Sequence, residues 1–223
     1  KVWRVPYQER ANDAREWARK HNISHFAKDP TRICLMPIDV QNTFCLPDFE
    51  LFVSGRTGRG AIDDNIRLAE FIYRNLGTIS EITPTLDTHT ATQIFHTPFW
   101  IDANGNHPAP ATIITLDDVE KSRWMVNPAV APAIAEGNYM YLKNHGLHYV
   151  RRLHEAGKYP LMVWPFHAML GGIGHAIVST VEEAIFFHNI ARSSQTGFQV
   201  KGGNPLTENY SALRPEVLDD HLG

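Results

Sequence analysis

Residues 32–40, Arg32-Ile33-Cys34-Leu35-Met36-Pro37-Ile38-Asp39-Val40, decide how this chain is read. A short apolar run with an acid near its end predicts a buried strand that delivers Asp39 to a strand terminus. Pro37 is at odds with that reading, because proline removes a ladder donor. After a glycine-rich turn at 55–60, residues 61–75 carry Ile62, Ile66, Leu68, Ala69, Ile72 and Tyr73 at helical spacing, with Gly77 as the stop signal. A second strand-like run at 80–86 then ends in Asp87-Thr88-His89. Strand, helix, strand, each strand ending on polar residues, is the pattern of a parallel sheet.

The pattern extends in both directions. Residues 12–21 predict a charged helix, and 96–110, rich in Pro, Gly and Asn, predict a loop. Residues 127–159 predict a helical insertion. Residues 159–164 predict a third strand, running into Pro165-Phe166-His167 and the turn at Gly171-Gly172. Residues 173–190 predict a helix, 195–200 a fourth strand ending at Lys201, and 213–222 a last helix. The expected fold is α/β: a Rossmann-like three-layer sandwich with a mostly parallel sheet, helices on both faces and the helical insertion, all in one domain over 1–223. In such sheets ligands bind beyond the carboxyl ends of the strands, where these polar residues fall.

Composition narrows the function classes. Of 223 residues, 43% are hydrophobic and 20% charged, which is ordinary for a globular domain. The net charge of -3 gives no reason to expect a nucleic-acid partner. No apolar run approaches the ~20 residues that span a bilayer, so no membrane partner is expected. The first sixteen residues are charged and have no apolar signal core. The two cysteines, Cys34 and Cys45, do not make a disulfide framework, so a reducing, cytoplasmic setting is expected.

Asp87 and His89 stand one residue apart, so in an extended segment both side chains point the same way. With His167 from the next strand end they make two imidazoles and a carboxylate, a set that suits a divalent ion, zinc first and iron or manganese next. His96, His107 and His175 take structural roles by default. Asp39 at its strand end is a plausible general base, against the plainer alternative of a turn cap. Lys201 has either a charge-partner role beside it or none beyond the surface.

Four pieces, in order and at strand ends, resemble the nicotinamidase/isochorismatase-type cysteine hydrolases. They are Asp39-x-Gln41-x-x-Phe44, Asp87-x-His89, Trp164-Pro165-x-His167, and Lys201-Gly202 with Glu208-x-Tyr210-Ser211 beyond. The resemblance spans most of the chain, and its D-x-H and W-P-x-H pieces point to the nicotinamidase branch. It implies that Asp39 is the general acid and base, with Lys201 completing a polar triad. It implies that Asp87, His89 and His167 bind metal, and that Phe44 and Trp164 line the substrate pocket. It implies hydrolysis of a small amide, nicotinamide first, through a cysteine thioester, in a homo-oligomer. Two positions depart from the pattern. Ala168 stands where the family often has a cysteine beside the metal-binding histidine. The family's nucleophile lies some tens of residues past the lysine, beyond Gly223. Cys34 is expected as core packing, and Cys45 does not replace the nucleophile by motif. The expectation is therefore a chain whose remainder carries the thiol. The alternatives are a member that has kept ligand binding and lost catalysis, and a hydrolase that uses metal-bound hydroxide.

Overall fold

The computed structural model describes residues 2–223. In chain order the helices are α1 (Tyr7–Lys20), α2 (Asn42–Cys45), α3 (Gly60–Arg74), α4 (Leu116–Glu120), α5 (Ala131–Ile134), α6 (Tyr139–Glu155) and α7 (Ser179–Arg192). The strands are short: β1 (Cys34–Leu35), β2 (Glu81–Ile82), β3 (Thr85–Asp87), β4 (Trp100–Ile101), β5 (Ile113–Ile114), β6 (Met125–Val126), β7 (Leu161–Met162) and β8 (Gln199–Lys201). The class is mixed α/β, with parallel pairing of β1 and β2. The chain divides into two compact units, one of Lys1–Asp87 with Gly171–Val200, the other of Thr88–Leu170 with Lys201–Gly223.

The first unit is built on the segment 80–87. β1 pairs with β2 in parallel, Cys34 opposite Glu81 and Leu35 opposite Ile82, and β3 pairs with β8. Backbone bonds continue that alignment past the strands, from Thr83 N–H to Leu35 O (2.8 Å) and from Thr85 N–H to Pro37 O (2.9 Å). Helices α3 and α7 pack together, and their Ala69, Ile72, Val181, Ala184 and Ile185 form one core with Val40, Ile79 and Ile82. Burying such side chains stabilises the unit by about 1.5–3 kcal/mol each.

The reading of 32–40 as a buried strand is corrected here. Pro37 and Val40 are buried and Leu35 partly so, while Ile33, Cys34, Met36 and Ile38 are exposed. Strand alternation explains most of this, because Leu35 faces the core and its neighbours at 34 and 36 face away. Cys34 is therefore not core packing. The helix expected at 173–190 begins later, at Ser179, because Ile177 is extended and bridges to Gln41.

The second unit holds a separate core of Ile94, Phe99, Trp100, Ile114, Leu142, Tyr149, Leu153 and Leu161. The segment 127–159 carries α5 and α6. The third expected strand exists only as β7, and it pairs antiparallel with β5, Ile113 opposite Met162 and Ile114 opposite Leu161. The loop expected at 96–110 contains β4, which pairs antiparallel with β6. The helix expected at 213–222 does not form. Pro215 interrupts it, and Leu213, Leu218 and Leu222 are exposed, so no apolar face holds it to a core.

Gly146 on α6 marks a tight approach. A Cβ there would lie 2.6 Å from Val126 Cγ2 and 3.2 Å from Trp100 Cη2. Gly146→Ala is expected to lower stability by about 1–3 kcal/mol through overpacking, although alanine is the better helix former. Urea denaturation of the variant checks the sign, since helix propensity alone would raise the midpoint.

Candidate metal centre

His89 and His167 are brought together inside the second unit by a short parallel bridge. The His89 N–H donates to Ala168 O (3.0 Å), and the Leu170 N–H donates to His89 O (3.0 Å). Ala168, just after His167, sits in the left-handed region at φ 47°, which turns the chain sharply there. A non-glycine residue held there stores strain of order 1–3 kcal/mol, a common feature of functional sites. The two imidazole centroids are 4.7 Å apart with their planes at 67°.

Asp87 ends β3, in the first unit. Gln41, fully buried, clamps the Asp87 backbone: its Nε2 donates to Asp87 O and its Oε1 accepts from the Asp87 N–H, both at 2.8 Å. Asp87, His89 and His167 are all buried, and each offers one ligand atom within 4.8 Å of the others.

The donor chemistry fits a divalent ion. His167 Nδ1 lies 2.8 Å from Pro165 O, and His89 Nδ1 lies 3.3 Å from Gly202 O. A carbonyl can only accept, so each Nδ1 carries a hydrogen, and in the neutral ring Nε2 is the nitrogen whose lone pair can coordinate a metal. Gln93 holds Gly202 O in place through a 2.7 Å bond from its Nε2.

The structure adds His96, which was given a structural role from sequence. It is fully buried, with its ring 5.8 Å from that of His89 and 6.1 Å from that of His167. Its Nδ1 bonds to Thr90 O (3.1 Å), while its Nε2 is buried with no hydrogen-bond partner. Burial, then the neighbouring His89 and His167, pushes its pKa down to about 4. It is a neutral imidazole wall of the site near neutral pH. Its position seven residues after His89 was visible, but an isolated histidine carries no sign of burial.

The other sequence candidates fall as follows. In the first unit Asp39 adopts φ 50°, and Thr85 Oγ1 both donates to its Oδ1 (2.6 Å) and accepts from its N–H (3.0 Å). Phe44 on α2 packs against Cys45, Leu46 and Val178. In the second unit Lys201 Nζ donates to Asn209 O (2.8 Å). Trp164 Nε1 donates to Tyr210 Oη (2.9 Å) and Glu208 Oε1 (3.3 Å). Cys45 is buried, and desolvation raises its pKa, the opposite of an activated thiol.

No family model matches the chain, and no curated protein sequence matches it. Solved structures do. A nicotinamidase/pyrazinamidase of Acinetobacter baumanii superposes with a TM-score of 0.45 at 20% identity, over 84% of this chain and 60% of that one. A yeast nicotinamidase gives 0.49 at 16% identity, over 82% of this chain and 62% of that one. The yeast enzyme bound to the inhibitor nicotinaldehyde gives 0.49 at 14%, over the same shares. The chain thus spans about three-fifths of the length of these structures. Among the described residues no helix is long and apolar enough to cross a membrane.

Proposed function

We propose that the protein is a metal-assisted amidohydrolase of the nicotinamidase kind, acting on a small amide with nicotinamide as the first substrate to test. The observation that supports this most is the buried group of Asp87, His89 and His167, with both imidazoles oriented by backbone carbonyls. Asp87, His89 and His167 would hold a divalent ion, which would supply a Lewis acid whose chief contribution would be to position the substrate ring. Zinc suits the donor set best, with iron and manganese as alternatives. Trp164 and Phe44 serve as aromatic walls for the ring.

In this reading Asp39 takes the proton of a thiol, the thiolate attacks the amide carbonyl, and Asp39 returns the proton to the departing ammonia. Lys201 supplies positive charge near the aspartate and thiol. Water then hydrolyses the thioester to the acid. The nucleophile in this reading is a cysteine other than Cys34 and Cys45, in one domain that works as a cytoplasmic homo-oligomer.

A second reading has one observation in its favour. Of the two cysteines in 1–223, one is exposed on β1 and the other is buried with a raised pKa, and that suits a protein that binds a metal and ligand without thiol chemistry. Ammonia release from nicotinamide, with zinc, iron or manganese supplied, separates the readings. Release that a thiol-blocking reagent abolishes supports the cysteine hydrolase. Release that survives the reagent shifts the chemistry to metal-bound hydroxide, and no release with retained nicotinamide binding favours the binding protein.

A further inference from the structure

Glu208 is a carboxylate buried in the second unit, 3% exposed, and no step above uses it. Three side-chain donors converge on it. Tyr210 Oη donates to Oε1 (2.8 Å), Trp164 Nε1 donates to Oε1 (3.3 Å), and Tyr149 Oη donates to Oε2 (3.2 Å). The Glu208 N–H returns a bond to Tyr149 Oη (3.0 Å), which ties the segment to α6. Trp164 also donates to Tyr210 Oη, so the indole, the phenol and the carboxylate close a ring of hydrogen bonds. The indole also stands 6.4 Å from the His167 imidazole, centroid to centroid.

Such a carboxylate is costly to bury and needs a reason. On the amidohydrolase reading above, we propose that Glu208 is a positioning residue: it holds the Trp164 indole beside His167 and so fixes the aromatic wall that a ring-bearing amide meets. The indole has a single N–H donor, and its bonds to Glu208 and Tyr210 select one orientation of a ring that already packs against the core.

Burial pushes the Glu208 carboxyl up to about 7, against the three hydrogen bonds that pull it down; Glu216 adds repulsion. Glu216 is itself paired with Lys158 at 2.7 Å, so Tyr149, Tyr210, Trp164 and Glu216 are the groups that face it. Because the folded pKa lies above the usual carboxylate value, the folded state holds the proton more tightly. Glu208 then lowers stability as pH rises from the unfolded pKa through about 7.

The test is nuclear magnetic resonance of the five tryptophan indole N–H signals from pH 5.5 to 8.5, with Trp164→Phe assigning the relevant one. The Trp164 signal is expected to titrate with a midpoint near 7 in the unaltered protein and to stay fixed in Glu208→Gln. Glu208→Gln is expected to weaken nicotinamide binding to the zinc-loaded protein about tenfold, the loss of one charge-assisted bond's worth of positioning, with zinc content unchanged. A Trp164 indole N–H signal that is the same in Glu208→Gln as in the unaltered protein across this pH range, or nicotinamide binding that Glu208→Gln leaves unchanged, overturns the proposal. Failure of the unaltered, zinc-loaded protein to bind nicotinamide instead overturns the amide reading, and the indole signal still decides the role of Glu208.

Discussion

Replacing His167 with alanine is expected to cut zinc affinity by well over 100-fold while leaving the protein folded. Loss of a group that merely orients a ligand costs 10–100-fold, and His167 is itself a ligand in this account. His167 sits at the turn through Ala168, and its Nδ1 is held by Pro165 O, so its removal deletes a donor without disturbing the bridge from His89 to Ala168. His89→Ala is expected to behave likewise, and His107→Ala, on the loop where its Nδ1 bonds Trp100 O, is expected to change nothing. Competitive titration with a zinc chelator measures all three. Equal zinc content in His167→Ala and the unaltered protein at limiting metal removes the assignment.

Gln41→Leu is the second large effect, and it acts on the fold and the site together. The side chain is fully buried and makes three bonds, two to the Asp87 backbone at 2.8 Å and one to His175 O at 2.9 Å. Leucine is nearly isosteric and leaves one N–H and two carbonyls buried without those partners. Each such group costs about 1–3 kcal/mol, and a total loss of about 3–5 kcal/mol is expected after relaxation. Because those bonds set the Asp87 backbone, metal affinity falls as well. Urea denaturation read beside the chelator titration checks both, and a loss under about 1 kcal/mol would show that the clamp is dispensable.

These residues also show what the sequence could and could not tell. Asp87 and His89 were legible because one intervening residue in an extended segment puts both side chains on one side, a rule that needs no tertiary information. Apart from the Trp164-Pro165-x-His167 resemblance, His167 was legible as the polar end of a strand-like run, and that run turned out to pair with Ile113–Ile114 in the opposite sense to a parallel sheet. Strand propensity is local, whereas the choice of partner is not. The same limit explains 32–40: alternation decides which side chains turn inward, and an apolar run alone does not say that both faces are covered. The burial of His96, Gln93 and Glu208 was not legible, for a common reason. Each acquires its role from burial beside groups far off in sequence, and an isolated polar residue carries no mark of that.

X-ray absorption at the zinc edge of the zinc-loaded protein tests the central claim most directly. The account expects one ion per chain with a shell of nitrogen and oxygen at about 2.0–2.1 Å, and outer-shell scattering from two imidazoles that His89→Ala reduces to one. Sulfur at about 2.3 Å, or an imidazole signal unchanged in His89→Ala, would place the metal elsewhere and contradict it.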